Sequence, residues 1–193
     1  MADLAMCGKK LIDDIAECEP PRGSAAFWWL GQNGFAIRGD SAAVFIDVYL
    51  KEDPRRATPP PFRPEEVTIA DLVIGTHDHS DHVDRTALPD VMAASPAAPL
   101  LVSKVTRSRL VAAGYPADRI LGLDDGETAR FSWGEVVAVR AAHEFFDRDE
   151  VLGYPHLGII IKLNGVTLFH AGDCVPWEGL VSTVAAHKPD IVF

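Results

Sequence analysis

Cysteine is scarce in this chain: Cys7, Cys18 and Cys174 are the only three in 193 residues, an odd count at unrelated spacings. That argues against a disulfide framework and predicts free thiols in a reducing compartment. Basic clustering is missing as well. The 18 Lys and Arg are scattered among 28 Asp and Glu, for a formal net charge of −10. Nucleic-acid backbones require clustered cations, so no nucleic acid is expected as a partner. A small anionic molecule stays compatible, because a metal and one or two local cations can hold it. No apolar run approaches the ~20 residues of a membrane span. The opening Met1-Ala2-Asp3 soon becomes charged at Lys9, Lys10, Asp13 and Asp14, unlike a secretory leader. No membrane partner and a cytoplasmic location are therefore expected, and self-association into a homo-oligomer is left open. Internal repeats and low-complexity tracts are absent. With 48% hydrophobic and 24% charged residues, the composition is that of an ordinary globular protein, and its length suits one domain over residues 1–193.

Leu4, Leu11, Ile12 and Ile15 fall at helical spacing and predict an amphipathic helix over 4–17, closed by Pro20-Pro21. Strand-like runs at 25–30, 35–38 and 42–48 are separated by Gly31-Gln32-Asn33-Gly34 and Gly39-Asp40, which predicts a β-meander. Pro54, Pro59, Pro60, Pro61 and Pro64 make residues 52–64 an extended loop, either the rim of a site or a plain surface connection. A strand at 71–75 and a helix from Asp84 to Ala94 come next. A strand near 100–103, a helix near 104–113 and short strands near 119–123, 128–132 and 135–141 follow. Runs at 157–163 and 166–170 should pair through Asn164-Gly165, a type I′ hairpin signal. A helix over 178–187 and an apolar strand from Asp190 complete the pattern. Strands interleaved with helices predict an α/β architecture with helices covering the sheets.

The densest chemistry lies in His77-Asp78-His79-Ser80-Asp81-His82, directly after the apolar run ending at Thr76. Imidazole nitrogen and carboxylate oxygen are ligands that zinc, manganese and iron accept. On an extended segment residues two apart point the same way, so His77 and His79 can share one ion. If the chain then turns into a helix, Asp81 and His82 can face a second ion. His143 follows the strand near 136–142. Asp173 follows the strand near 167–171, after Gly172, which permits a sharp turn and close backbone approach.

At this point the chain resembles the metallo-β-lactamase superfamily, on the His-x-His-x-Asp-His cluster, a lone His about sixty residues later and a Gly-Asp after a strand. Within it, the chain is most similar to the L-ascorbate-6-phosphate lactonase-like group. The residues carrying that likeness are Phe27-Trp28-Trp29-Leu30-Gly31, Phe45-Ile46-Asp47, Thr76 to His82, and Phe169-His170-Ala171-Gly172-Asp173. The resemblance implies an αββα sandwich over roughly residues 25–193. It implies two divalent ions, with His77, His79 and His143 on the first, Asp81 and His82 on the second, and Asp173 bridging. It further implies a metal-dependent hydrolase that uses a metal-bound hydroxide on a small anionic substrate, with Asp81 also able to accept a proton. Lactone hydrolysis is favoured, and phosphodiester cleavage is the alternative.

One departure from the family pattern bears on activity. The superfamily completes its second site with a His beyond the strand that begins here at Asp190, whereas this sequence stops at Phe193. A truncated fold with an incomplete second site is the expectation, and a catalytically incompetent metal-binding domain is the competing reading. His187 precedes that last strand and is a poor substitute ligand. His170 is expected to support a neighbouring ligand rather than bind metal. Asp47 is read evenly as orienting a ligand His or capping a strand end. His156 is a substrate candidate, though a surface position is the more ordinary reading. Cys174 is expected to be small and buried.

Overall fold

The computed structural model describes residues 7–193. Short apolar runs build the first sheet, and its central strands are buried on both faces, as parallel strands covered by other layers require. It comprises β1 (Ala26–Gly31), β2 (Gly34–Arg38), β3 (Ala43–Ile46), β4 (Leu72–Ile74), β5 (Leu100–Ser103) and β6 (Ile120–Leu123), in chain order across the sheet. β1 to β3 form the expected antiparallel meander, and β3 to β6 run parallel. The second sheet holds β7 (Thr128–Phe131), β8 (Gly134–Arg140), β9 (Leu157–Leu163), β10 (Val166–His170) and β11 (Ile191–Val192). Its pairs are antiparallel except β10 with β11. Asn164 at φ 50° and Gly165 at φ 82° close the β9–β10 hairpin, the left-handed pair that a type I′ turn needs.

Helices cover both outer faces. α1 (Lys9–Glu17), α2 (Leu88–Ala94) and α3 (Lys104–Ala112) bury Leu11, Ile15, Val91 and Leu110 against Phe45, Val73 and Leu100 of the first sheet. Between the sheets, Ile46, Ile74 and Leu101 meet Ile159, Ile161 and Leu168. α4 (Leu180–Ala185) packs Val184 against Val139, Ile160 and Phe169 on the far side. These layers are the αββα sandwich that the resemblance implies.

Helix starts differ from the sequence reading, each for a local reason. α1 begins at Lys9 because Gly8 takes φ 59° and donates its N–H to the Pro61 carbonyl at 2.7 Å; Leu4 lies outside the described residues. The helix expected from Asp84 begins only at Leu88. One Asp84 carboxylate oxygen accepts the N–H groups of Thr86 and Ala87, and the other accepts those of Leu50 and Lys51. Asp84 therefore ties two loops together ahead of the helix, and Pro89 sits in the first turn, where a missing N–H costs nothing. The 178–187 helix shortens to α4 because Gly179 (φ 96°) and Lys188 (φ 51°) leave helical geometry on either side.

Ile159, fully buried in the inter-sheet core, and Val181, 80% exposed, give a packing test. Ile159→Ala should cost about 3 kcal/mol of unfolding free energy, and Val181→Ala should stay within about 0.5 kcal/mol. Urea denaturation followed by circular dichroism measures both.

Candidate metal centre

The centre is built where strands of both sheets end. Asp47 follows β3 in a left-handed conformation (φ 49°) and donates its N–H to the Ile74 carbonyl at 2.9 Å. Its Oδ1 accepts the Thr76 N–H at 2.8 Å, and its Oδ2 accepts the Thr76 hydroxyl at 2.8 Å. The same Oδ2 lies 2.7 Å from His82 Nδ1. Asp47, Thr76, His77 and His82 are all buried. Tight folding of this loop onto β4 needs Gly75, since a Cβ there would sit 2.5 Å from Val83 Cγ2. One backbone bond then joins the sheets, Leu157 N–H donating to Thr76 O at 3.1 Å, and a second ties the loops after β8 and β10, Val175 N–H donating to Ala142 O at 2.7 Å. Gly172, at φ 58°, fits closely against Thr76.

This framework brings donor atoms together. His77, His79 and His143 present ring nitrogens within 4.8 Å of one another, as do His77, His82 and Asp173 with their donor atoms. His77 Nε2 lies 2.9 Å from His79 Nδ1. Asp173 Oδ2 lies 3.3 Å from His82 Nε2 and 3.6 Å from His143 Nε2. Asp81 stands farther out, its Oδ2 3.9 Å from His82 Nε2 and its side chain 41% exposed. His187 takes no part in either group.

Neighbouring positions have defined partners. His170 Nε2 faces the Asn33 carbonyl at 2.9 Å, and its Nδ1 accepts the Gly172 N–H at 3.1 Å. It braces the turn before Asp173 and makes no hydrogen bond to a ring of the cluster. His156 is not the surface residue its loop position suggested. It is half-buried, with ring centroids 5.1 Å from His77 and 5.2 Å from His143, and its Nδ1 is buried without a hydrogen-bond partner among the described residues. Cys174 is half-exposed rather than buried, its thiol donating to the Val175 carbonyl. Asp78, between the first two histidines, receives two hydrogen bonds from Arg85 and one from Arg109. That clamp, like the roles of Thr76 and Asp84, joins residues distant in sequence and carries no local signal.

Burial, reinforced by the surrounding imidazoles His82, His79, His156 and His143, pushes His77 down to about 2, so its ring is neutral. His156 and His170 are lowered chiefly by burial. Burial also opposes charge on His82, but the Asp47 hydrogen bond and the charges of Asp47, Asp173 and Asp81 outweigh it and raise its pKa. Imidazole nitrogens crowded at hydrogen-bond distance, facing a carboxylate, are a donor set that a divalent cation satisfies. A hydrogen bond on the far nitrogen, as Asp47 makes to His82, selects the tautomer that leaves Nε2 free to bind. The residues present therefore fit a metal.

A family profile described as the beta-lactamase superfamily domain matches residues 43–193. The chain belongs to this superfamily. This superfamily member is 28% identical over 151 residues to a UPF0173 metal-dependent hydrolase of Salinibacter ruber, covering 77% of the chain and 62% of that protein. It is 32% identical over 156 residues to the Thermococcus kodakarensis UPF0173 metal-dependent hydrolase, covering 75% and 59%. It thus spans about 60% of the length of these curated relatives. Among solved structures, a metallo hydrolase from the archaeon Ignicoccus hospitalis superposes with a TM-score of 0.67 at 21% identity, over 88% of this chain and 70% of that one. At that identity the likeness is one of fold.

Asp47→Asn keeps the side-chain shape, and Asn tolerates the left-handed backbone at φ 49°. The exchange should weaken zinc affinity about 10- to 100-fold while the far-ultraviolet circular dichroism stays unchanged. Competition against a chromogenic chelator measures the affinity.

Proposed function

We propose that the chain carries the centre of a metal-dependent hydrolase acting on a small anionic molecule. One observation carries this reading: Asp173 Oδ2 faces both His82 Nε2, at 3.3 Å, and His143 Nε2, at 3.6 Å, so one carboxylate serves both donor groups. His77, His79 and His143 would hold one divalent ion, Asp81 and His82 a second, and Asp173 would stand between them. Zinc or manganese, with iron as a further option, suits these donors. When bound, such ions polarise a substrate oxygen and acidify water near neutral pH.

The chain's own residues orient and exchange protons. Asp47 and Thr76 fix the His82 ring, and the Asp78–Arg85–Arg109 clamp holds the loop carrying His77 and His79. Asp81, partly open to solvent, is the group we assign to accept a proton from the attacking water. His156 faces the cluster from the loop residue just before β9 and is assigned to substrate contact.

Lactone hydrolysis is the reaction we favour, on the residues shared with the lactonase-like group. An apolar channel along the 52–64 loop would have favoured lipid phosphodiesters. Instead Asp53, Arg55 and Arg56 of that loop line a charged cavity with Ser80 and Asp81, which suits a compact polar anion. A cytoplasmic setting is consistent with unpaired Cys7, Cys18 and Cys174. Among the described residues no helix is long and apolar enough to cross a membrane.

Metal analysis by mass spectrometry should find about two equivalents of zinc or manganese per chain, and His79→Ala should lose at least one. Purified protein should hydrolyse sugar lactones. One equivalent or none would overturn the two-ion centre in favour of a non-catalytic metal-binding domain. Turnover of a chromogenic phosphodiester alone would overturn the lactone preference.

A further inference from the structure

Beside the histidine cluster lies a cavity of about 330 Å³ lined by Tyr49, Asp53, Arg55, Arg56, Ser80 and Asp81. It adjoins the loop that carries Asp81 and His82, so whatever fills it touches the hydrolytic centre proposed above. Its two guanidinium groups are in different electrostatic states. Arg55 is neutralised: its Nε and Nη2 donate to both oxygens of Asp53, at 2.9 and 2.6 Å. This fork of hydrogen bonds holds the Asp53 carboxyl well below the usual carboxylate range.

Arg56 has no such partner. Its Nε donates to the Thr58 carbonyl at 3.0 Å and its Nη1 to the Tyr49 carbonyl at 2.9 Å. Its guanidinium stacks 4.8 Å from the Tyr49 ring centroid. Among the described residues no carboxylate lies within 4.0 Å of Arg56, and its Nη2 makes no hydrogen bond. Main-chain carbonyls and an aromatic face hold this cation in place but do not discharge it. The cavity's acids are committed elsewhere, Asp53 to Arg55 and Asp81 to the centre. Arg56 is therefore a pre-ordered positive charge beside the reacting groups, with a planar edge suited to an oxyanion.

We propose that Arg56 anchors a carboxylate or phosphate group of the substrate and so sets its specificity for anions. The proposal rests on the hydrolase reading for the adjacent centre, and it identifies which side chain recognises the substrate's charge.

The test is isothermal titration of the zinc-loaded chain with inorganic phosphate and, separately, acetate. Phosphate affinity should fall about tenfold in Arg56→Gln and recover partly in Arg56→Lys, which keeps the charge but not the planar fork. Zinc content and thermal midpoint should stay unchanged. Stronger loss for phosphate than for acetate would identify a phosphate-bearing ligand, and the reverse a carboxylate. A variant-free arm guards against misfolding: phosphate should shift the Arg56 Nε–H resonance of the native chain. Unaltered affinity in Arg56→Gln, or no shift of that resonance, would overturn the anchor. Absence of bound zinc would instead overturn the hydrolase reading, and the phosphate titration would still decide the anchor by itself.

Discussion

One buried carboxylate, Asp47, holds the site in register. A carboxylate out of water must have its oxygens satisfied, and here the Thr76 N–H, the Thr76 hydroxyl and the His82 ring do so. These bonds tie the end of β3 to the loop leaving β4, across 29 residues of sequence to Thr76 and 35 to His82. They also decide which nitrogen of His82 faces Asp173. Remove that carboxylate, and the histidine loop loses both its tie to the end of β3 through Thr76 and the contact that aims its last ring.

The centre depends equally on the two sheets staying in contact, because its donors come from both. His77 to His82 hang from the first sheet, while His143 and Asp173 follow β8 and β10 of the second. Ile46, Ile74 and Leu101 against Ile159, Ile161 and Leu168 supply the apolar contact between them. The backbone bonds Leu157–Thr76 and Val175–Ala142 then fix the loops to one another at their rims. Rigid strand ends carrying short loops are how a fold holds ligand atoms to within fractions of an ångström. The charged cavity beneath the proline-rich loop continues the same arrangement outward, with Asp84 tying Leu50 and Lys51 to the histidine loop.

Much of this was legible in the sequence, for identifiable reasons. Parallel strands buried on both faces leave unbroken apolar runs, such as 43–46 and 72–74, and Asn164-Gly165 marks its own turn. The spacing of His77, His79 and His82, with the strand-end positions of His143 and Asp173, pointed to residues the fold does bring together. What was not legible depends on contacts between distant segments. Asp47 read evenly as a cap or an orienting group, because only the fold shows that its second oxygen reaches His82. His156 is a loop residue as its sequence indicates, but nothing near it in sequence reveals that the loop entering β9 sets it against His77 and His143. Asp84 read as the start of a helix, since its bonds to Leu50 and Lys51 lie over thirty residues away. Arg56 is one cation among many in the sequence, and only the fold distinguishes it, with Arg55 neutralised by Asp53 while Arg56 donates to main-chain carbonyls alone among the described residues.

The central claim is that Asp47 fixes His82 with a proton on Nδ1 and a lone pair on Nε2. Long-range ¹H–¹⁵N correlation spectra of the histidine rings in the zinc-loaded chain test it directly. The account predicts a protonated, hydrogen-bonded Nδ1 on His82 and a metal-shifted Nε2. A His82 ring protonated on Nε2, or with zinc on Nδ1, would contradict it.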